Sequence, residues 1–400
     1  MRRTVFTSFT ILSLLVISCM SGLVFITQTA KAMVYLGPEP VFIRADGSIY
    51  PLTAPIRRDG NTYTLTDDII NGSIVIGRAN IVLDGNGHVL QGDSLYEGLI
   101  VRYSDNVTIK NLNIKGFGKC IFLNGDRGEF HDVTIASNNI TDGTYGIEVG
   151  SAFANTVIFG NNITNNNIGI TLQSYNNVVF ENNIADNERG ICFGEPGCNG
   201  WVFHNNFLNN TFPFNGEPEW FNNDFDADYP SGGNYWSDYN GTDSFGGPFQ
   251  NETGRDGIGD TGYMFAWGSS DNYPLMGKFS DFTATPELHV QTVCNSTISS
   301  FQFNGTAIRF NVIGESGTDG FCRICVPTAL ISAYRVFVNG TEVSSSLLPC
   351  SNSTHSYLYF NYTHSTQEVI IIPEFPSFLI LLLFMTPTLS TLKVCRRKRR

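Results

Sequence analysis

Between residues 217 and 271 the chain gathers aromatic rings and acids that could do chemistry together. Trp220, Tyr229, Tyr235, Trp236 and Tyr239 stand among Glu217, Glu219, Asp226 and Asp238. Aromatic faces stack on sugar rings and nearby carboxylates accept hydroxyl hydrogen bonds, so these five aromatics are candidate carbohydrate contacts. The competing reading is an aromatic plug over the end of the preceding element. Asp238, Asp243, Asp256, Asp260 and Asp271 lie in Gly-rich loops. Hard oxygen donors on such loops suit Ca²⁺, which makes these five the candidate metal ligands. Phe245-Gly-Gly-Pro-Phe-Gln-Asn-Glu interrupts their run, and acidic turn residues without a metal are the alternative.

Other chemistries find less support. Copper wants His, Met or Cys converging in space. His88, His131, His204, His289, His355 and His364 show no ligand spacing, so copper is not argued for. No cofactor follows with certainty, and calcium is the one the residues could hold. Glycoside hydrolysis needs a pair of carboxylates on one face. The column Phe122, Glu148, Thr171, Cys192 offers one, while Asp142, Asp186, Glu188 and Arg189 sit on loops. No catalytic residue is named, and the chain reads as a non-enzyme with a surface polysaccharide lyase or glycoside hydrolase as the alternative.

The element that must position these residues is a repeat. Val107-Thr-Ile-Lys-Asn-Leu-Asn113-Ile returns as Val133 to Ile140, Val157 to Ile163, Val178 to Ile184 and Trp201 to Phe207. Copies this short cannot bury an apolar face alone and must stack. A second phrase follows each one: Gly98-Leu-Ile-Val, Cys120-Ile-Phe-Leu, Gly146-Ile-Glu-Val, Gly169-Ile-Thr-Leu and Gly190-Ile-Cys-Phe. Its alternation is that of a half-buried strand, as is that of Val133 and Ile135 or Val157 and Phe159. The period predicts an all-β chain built on a parallel β-helix. Asn113, Asn139, Asn162, Asn183 and Asn206 recur at one place, where Asn would take the left-handed bend and stack its amides in a ladder. A ladder amide cannot also carry a glycan, so the sequons at Asn139 and Asn162 deserve little weight.

The remaining segments divide the chain. Residues 1–32 read as a signal peptide ending in Ala30-Lys31-Ala32, and 33–68 as the N-terminal cap. Coils run over 69–225, and a C-terminal cap with Asn234-Tyr-Trp-Ser-Asp-Tyr covers 226–282. Alternating runs over 283–372, with a hairpin turn at Asn339-Gly340, predict a small Ig-like β-sandwich. Residues 373–400 hold an apolar run before Arg396-Arg-Lys-Arg-Arg400, a membrane-spanning helix with a cytoplasmic tail. Net charge of −12 excludes nucleic acid as a partner. Sequons such as Asn71, Asn240, Asn251, Asn295, Asn339 and Asn361 agree with export. The nine cysteines of an exported chain are disulfide candidates, with Cys192 and Cys198 flanking a small loop and Cys294, Cys322, Cys325 and Cys350 of open pairing.

Gly233-Asn-Tyr-Trp-Ser-Asp-Tyr-Asn-Gly, Arg255-Asp-Gly-Ile-Gly-Asp-Thr-Gly-Tyr and Asp271-Asn-Tyr-Pro-Leu-Met, with the repeats, resemble the NosD-type periplasmic copper-binding β-helix family. They are similar, more broadly, to carbohydrate-binding and sugar-hydrolase β-helices of archaeal surface proteins. The resemblance implies a right-handed β-helix with a pectate-lyase-like core, and its name implies copper handling. Pro373-Glu-Phe-Pro376 resembles the PEF-type sorting signal of archaeal surface proteins, which implies that a lipid anchor replaces the tail. Together the segments describe an exported, membrane-tethered, non-catalytic β-helix whose partner is an extracellular glycan or envelope component. A copper-binding protein is the further alternative.

Overall fold

Three short strands make each coil, and three left-handed residues turn its corners. The computed structural model describes residues 38–125, 128–194, 200–215, 223–265, 269–331 and 334–374. The expected signal peptide, residues 375–400 of the expected anchor, Trp220 and Cys198 lie outside them. No helix among the described residues is long and apolar enough to cross a membrane.

The first face of the rod stacks strands Glu97–Arg102, Lys119–Asn124, Tyr145–Val149, Ile168–Leu172 and Arg189–Phe193 in parallel. The second stacks Val107–Lys110, Thr134–Ala136, Val157–Phe159, Asn177–Phe180 and Gly200–Phe203. The third stacks Asn113–Lys115, Asn139–Thr141, Asn162–Thr164, Asn183–Ala185 and Asn206–Leu208. Register aligns like with like inside. Ile121, Ile147, Ile170 and Ile191 form one column, and Ile114, Ile140, Ile163, Ile184 and Phe207 another. All of these are buried in one continuous core. At about 1.5–3 kcal/mol for each fully buried apolar side chain, this stacking dominates the rod's stability.

Two expectations about the coil need correction. Val157 and Phe159 point outward and Ile158 inward, because an all-apolar triplet gives period two no face to choose. The bend is not at the expected Asn column either: those residues open the third-face strands. The left-handed corner falls two residues earlier, at Asn111 (φ 55°), Ser137 (56°), Gly160 (63°), Glu181 (57°) and His204 (57°). Gly116, Asp142, Asn165, Asp186 and Asn209 turn a second corner, and Asn80, Asn106, Asp132, Asn155 and Asn176 the third. Short polar residues and Gly tolerate that conformation best.

The main amide ladder is likewise displaced by one residue, into the core. Asn138, Asn161, Asn182 and Asn205 are buried, and each Nδ2 donates to the Oδ1 of the next, at 3.0, 2.9 and 2.9 Å. Asn205 passes the chain to Asn234 at 3.0 Å. A second inner ladder joins Asn166, Asn187 and Asn210 at 3.1 and 3.0 Å. The expected column does form an outer ladder through Asn139, Asn162 and Asn183, at 2.8 and 2.6 Å. Its ends leave the pattern: Asn113 donates to Gly87 and Asn206 clasps both backbone groups of Phe279.

Gly146, Gly169 and Gly190 start their phrases because the next coil's carbonyl stands where a side chain would go. A Cβ at Gly169 would lie 2.6 Å from the Gly190 oxygen and 3.4 Å from the Asn187 amide nitrogen. Cys120 holds the equivalent place in its coil because Gly143 there replaces the laddering Asn, and Cys120 Sγ fills the space. Gly169→Ala is therefore expected to cost about 1–3 kcal/mol, read from urea unfolding.

After the rod, two five-stranded antiparallel sheets share a core. One holds Lys278–Thr285, Leu288–Cys294, Asp319–Pro327, His355–Thr363 and Ser345–Leu347. The other holds Thr297–Phe303, Ile308–Ile313, Thr366–Pro373, Tyr334–Val338 and Thr341–Val343. Asn339 (φ 48°) and Gly340 (φ 76°) turn the expected hairpin. The expected disulfides are absent among the described residues: Cys120, Cys192, Cys294, Cys322, Cys325 and Cys350 are free thiols. Most are buried and pack as small hydrophobes. Burial pushes the Cys120 thiol up to about 12 and that of Cys192 to about 11.

Candidate functional site

The inner ladder ends on an acid. Asn234 occupies the next rung, and the place beyond it belongs to Asp271. The Asp271 carboxylate accepts the Asn234 N–H at 2.7 Å, the Trp236 indole N–H at 2.9 Å and the Tyr273 N–H at 3.1 Å. It is fully buried, and burial pushes its carboxyl up to about 7 against the pull of those donors.

This end of the rod decides the fate of the aromatic candidates. Trp236 is 1% exposed and stacks between Phe207, at 4.2 Å, and Tyr263, at 4.6 Å. Phe225 and Phe265 close the plug around it. Tyr239 packs on the same core and donates its hydroxyl to the Thr261 carbonyl at 2.5 Å. Tyr235 joins a neighbouring apolar cluster with Ile258, Leu275 and Phe279. Tyr229, half-buried, opens onto a cavity.

The other aspartates brace the loops of the cap. Asp238 accepts the Tyr263 hydroxyl. Asp260 accepts the N–H groups of Ser244 and Phe245 and the Thr242 hydroxyl. Asp243 accepts the Asp256 N–H at 3.1 Å and the Gly257 N–H at 3.0 Å, and Asp256 accepts the Ile258 N–H at 3.0 Å. Burial raises the Asp243 carboxyl to about 7, with the charges of Asp256 and Asp260 pushing the same way. Burial raises Asp256 too, while Arg323 opposes the shift. Asp243, Asp256 and Asp260 are thus electrostatic neighbours, but their oxygens face backbone amides rather than one another's centre.

A cleft runs between this cap and the first sheet of the C-terminal sandwich. It comprises two adjoining cavities of about 350 and 300 Å³ that share Arg255, Tyr359 and Asn361 as lining residues. Tyr229, Glu252, Asp256 and Leu348 line the first, and Asp243, Asn295, Asp319 and Phe321 the second. Tyr359 stacks on Phe321 at 5.6 Å and forms the floor. Here the structure brings together three predicted site residues, Tyr229, Asp243 and Asp256. It adds Arg255, Glu252, Asp319, Tyr359 and Asn361, which sequence reasoning did not select for a site. These come from segments about a hundred residues apart, and no local spacing marks such a convergence.

The rod's outer faces offer less. Phe159, Phe180 and Phe203 stack at 5.1 and 5.6 Å, nearly parallel, so both faces of Phe180 and one face of each outer ring are covered. Along the row itself, a ligand meets ring edges. Glu148 is paired with Lys119 at 3.0 Å, Arg189 with Glu188 at 3.7 Å, and Asp186 accepts the Asn209 amide at 3.3 Å. Those acids form no opposed pair.

Imidazoles are dispersed. His204 is buried, stacks on Phe279 at 4.0 Å and is pushed down to about 4 by that burial. His289 pairs with Asp281 and His364 with Thr318. Asp67, Asp68 and His88 are the one group of three His, Cys, Asp or Glu ligands that meets among the described residues. It is two carboxylates and one imidazole, without thiolate or thioether, and so poorly suited to a dedicated copper site.

A parallel β-helix with Asn-lined corners and a Tyr-Trp end plug now stands beside its relatives. Residues 52–241 match the family described as periplasmic copper-binding protein (NosD). The NosD match covers the coils and the start of the plug. No curated protein matches the chain. Solved structures include the Dettilon tailspike protein, at 15% identity and TM-score 0.32, covering 74% of this chain and 64% of that one. The tailspike of Acinetobacter baumannii bacteriophage Fri1, a capsular polysaccharide depolymerase, aligns at 11% identity and TM-score 0.22, covering 80% and 70%. The enzymatically active domain of bacteriophage CBA120 tailspike protein 2 aligns at 12% and 0.24, covering 78% and 71%. The chain thus spans less than two thirds of the first of these, and no activity is taken from any of them.

Proposed function

We propose that this NosD-like chain is an exported, envelope-tethered glycan-binding protein without catalytic activity, and that the cleft between cap and sandwich is its binding site. The observation that carries this is the shared wall of Arg255, Tyr359 and Asn361 between two cavities. Their joint volume suits a short oligosaccharide, and donors, acceptors and an aromatic floor converge on it. The reading without catalysis is supported by the acids of the cap, since Asp243 and Asp256 are held by backbone amides. Export and tethering rest on the leader and tail sequences and on the family's periplasmic description.

The protein with Arg255→Ala and Asn361→Ala is expected to lose at least about tenfold in affinity on a glycan panel, with unfolding unchanged because both residues are exposed. Unchanged binding, or release of reducing ends or unsaturated products by the wild type, contradicts the reading. The aspartates of the cap act here as amide acceptors in place of calcium ligands. EDTA is therefore expected to leave the melting temperature unchanged, and a fall restored by Ca²⁺ would reinstate the metal.

A further inference from the structure

We infer that the cleft prefers an amine-bearing sugar, of the hexosamine class with a free ammonium, over a uronic acid or a sulfated sugar. This rests on the reading of the cleft as a glycan site. Four carboxylates line the two cavities, those of Asp243, Glu252, Asp256 and Asp319, and they face one cation, Arg255. The Arg255 guanidinium stands beside the Tyr359 hydroxyl on the floor and is shared by both cavities. Arg323, whose charge acts on Asp256, is 3% exposed, donates to the Pro230 carbonyl and lines neither cavity. The chain as a whole adds a net charge of −12.

An entering carboxylate or sulfate would shed water and meet like charge with one cation to offset it, and such juxtapositions cost several kcal/mol. An ammonium in the same place gains carboxylate acceptors that no backbone amide occupies. Glu252 and Asp319 are exposed at the two cavities and make no side-chain hydrogen bond to a cap amide, unlike Asp243 and Asp256. They are the acids free to turn toward a ligand. Neutral hydroxyls can still use Asn295, Asn361 and Arg255, so the cleft ranks ligands by charge and does not demand one.

The test is competition binding on the full-length protein with three probes of equal length: glucosamine, N-acetylglucosamine and galacturonic acid oligomers. The free-amine oligomer is expected to bind about tenfold tighter than its acetylated form, with the uronate weakest. The double variant Glu252→Gln, Asp319→Asn should bring the amine and acetyl forms within about threefold of one another. Equal or tighter uronate binding overturns the inference. So does an amine preference that survives the double variant, which would assign it to the acidic surface at large. Binding of the acetylated oligomer without any amine advantage defeats the inference alone, and failure of all three probes defeats the glycan site with it.

Discussion

Asn182→Ala is expected to destabilise the protein by about 4 kcal/mol, measured by denaturant unfolding. The side chain is completely buried. Its Nδ2 donates to the Ile158 carbonyl at 2.9 Å, to the Phe180 carbonyl at 2.9 Å and to Asn205 Oδ1. Its Oδ1 accepts both the backbone and the side-chain N–H of Asn161, at 3.0 and 2.9 Å. Truncation orphans groups in three coils at once, and each buried orphan costs about 1–3 kcal/mol. Asn183→Ala, one residue along on the outer ladder, should cost less than about 1 kcal/mol, because its partner amide is near solvent. Equal effects at the two sites would show that the inner ladder has no special weight.

Asp271→Ala should be comparably severe, at about 3–4 kcal/mol, since it leaves the N–H groups of Asn234, Trp236 and Tyr273 without an acceptor in a sealed core. The acid also gives the fold a pH dependence whose sign can be worked out. Its carboxyl titrates near 7 when folded and near its ordinary 3.8 when unfolded. Between those values the folded chain keeps a proton that the unfolded chain sheds. Stability from this group is therefore full below the ordinary value and is lost as pH rises through about 7. Asp243 and Glu181 are raised to about 7 in the same way, Asp243 by burial and Glu181 by burial and then by Asp281. Thermal unfolding should thus occur at lower temperature at about pH 8 than at about pH 5. Asp271→Asn retains one acceptor oxygen, so it should cost less than the alanine and flatten that slope. A melting temperature that rises over the same range would contradict the assignment.

The coil was legible because stacking repeats it. A register that places Ile121, Ile147, Ile170 and Ile191 in one column has to leave a phrase in the sequence, and it did. What the phrase could not settle was which member of an Asn-Asn pair faces in. Asn161 and Asn162 are the same residue type, and only the corner at Gly160 (φ 63°) decides that the first enters the core. Val157-Ile158-Phe159 failed for a similar reason, since three apolar residues carry no alternation.

The candidate site was legible only in part. The aromatic and acidic segment did prove to organise the end of the rod, with Trp236 and Asp271 at its centre, so the plug describes Trp236 better than the sugar platform does. Its chemistry was not open to inspection because the cleft needs Tyr359 and Asn361 from a strand more than a hundred residues beyond Asp243. Free thiols at Cys294 and Cys322 were missed because compartment was used to read them, whereas burial opposite one another in the sandwich governs how they pack.

The most direct test of the glycan site is a crystal structure of the protein with a saturating oligosaccharide. Ligand density between Arg255, Tyr359 and Asn361, spanning both cavities, is the predicted result. A sugar bound instead along the outward Phe159, Phe180 and Phe203 row, with the cleft empty, would contradict it.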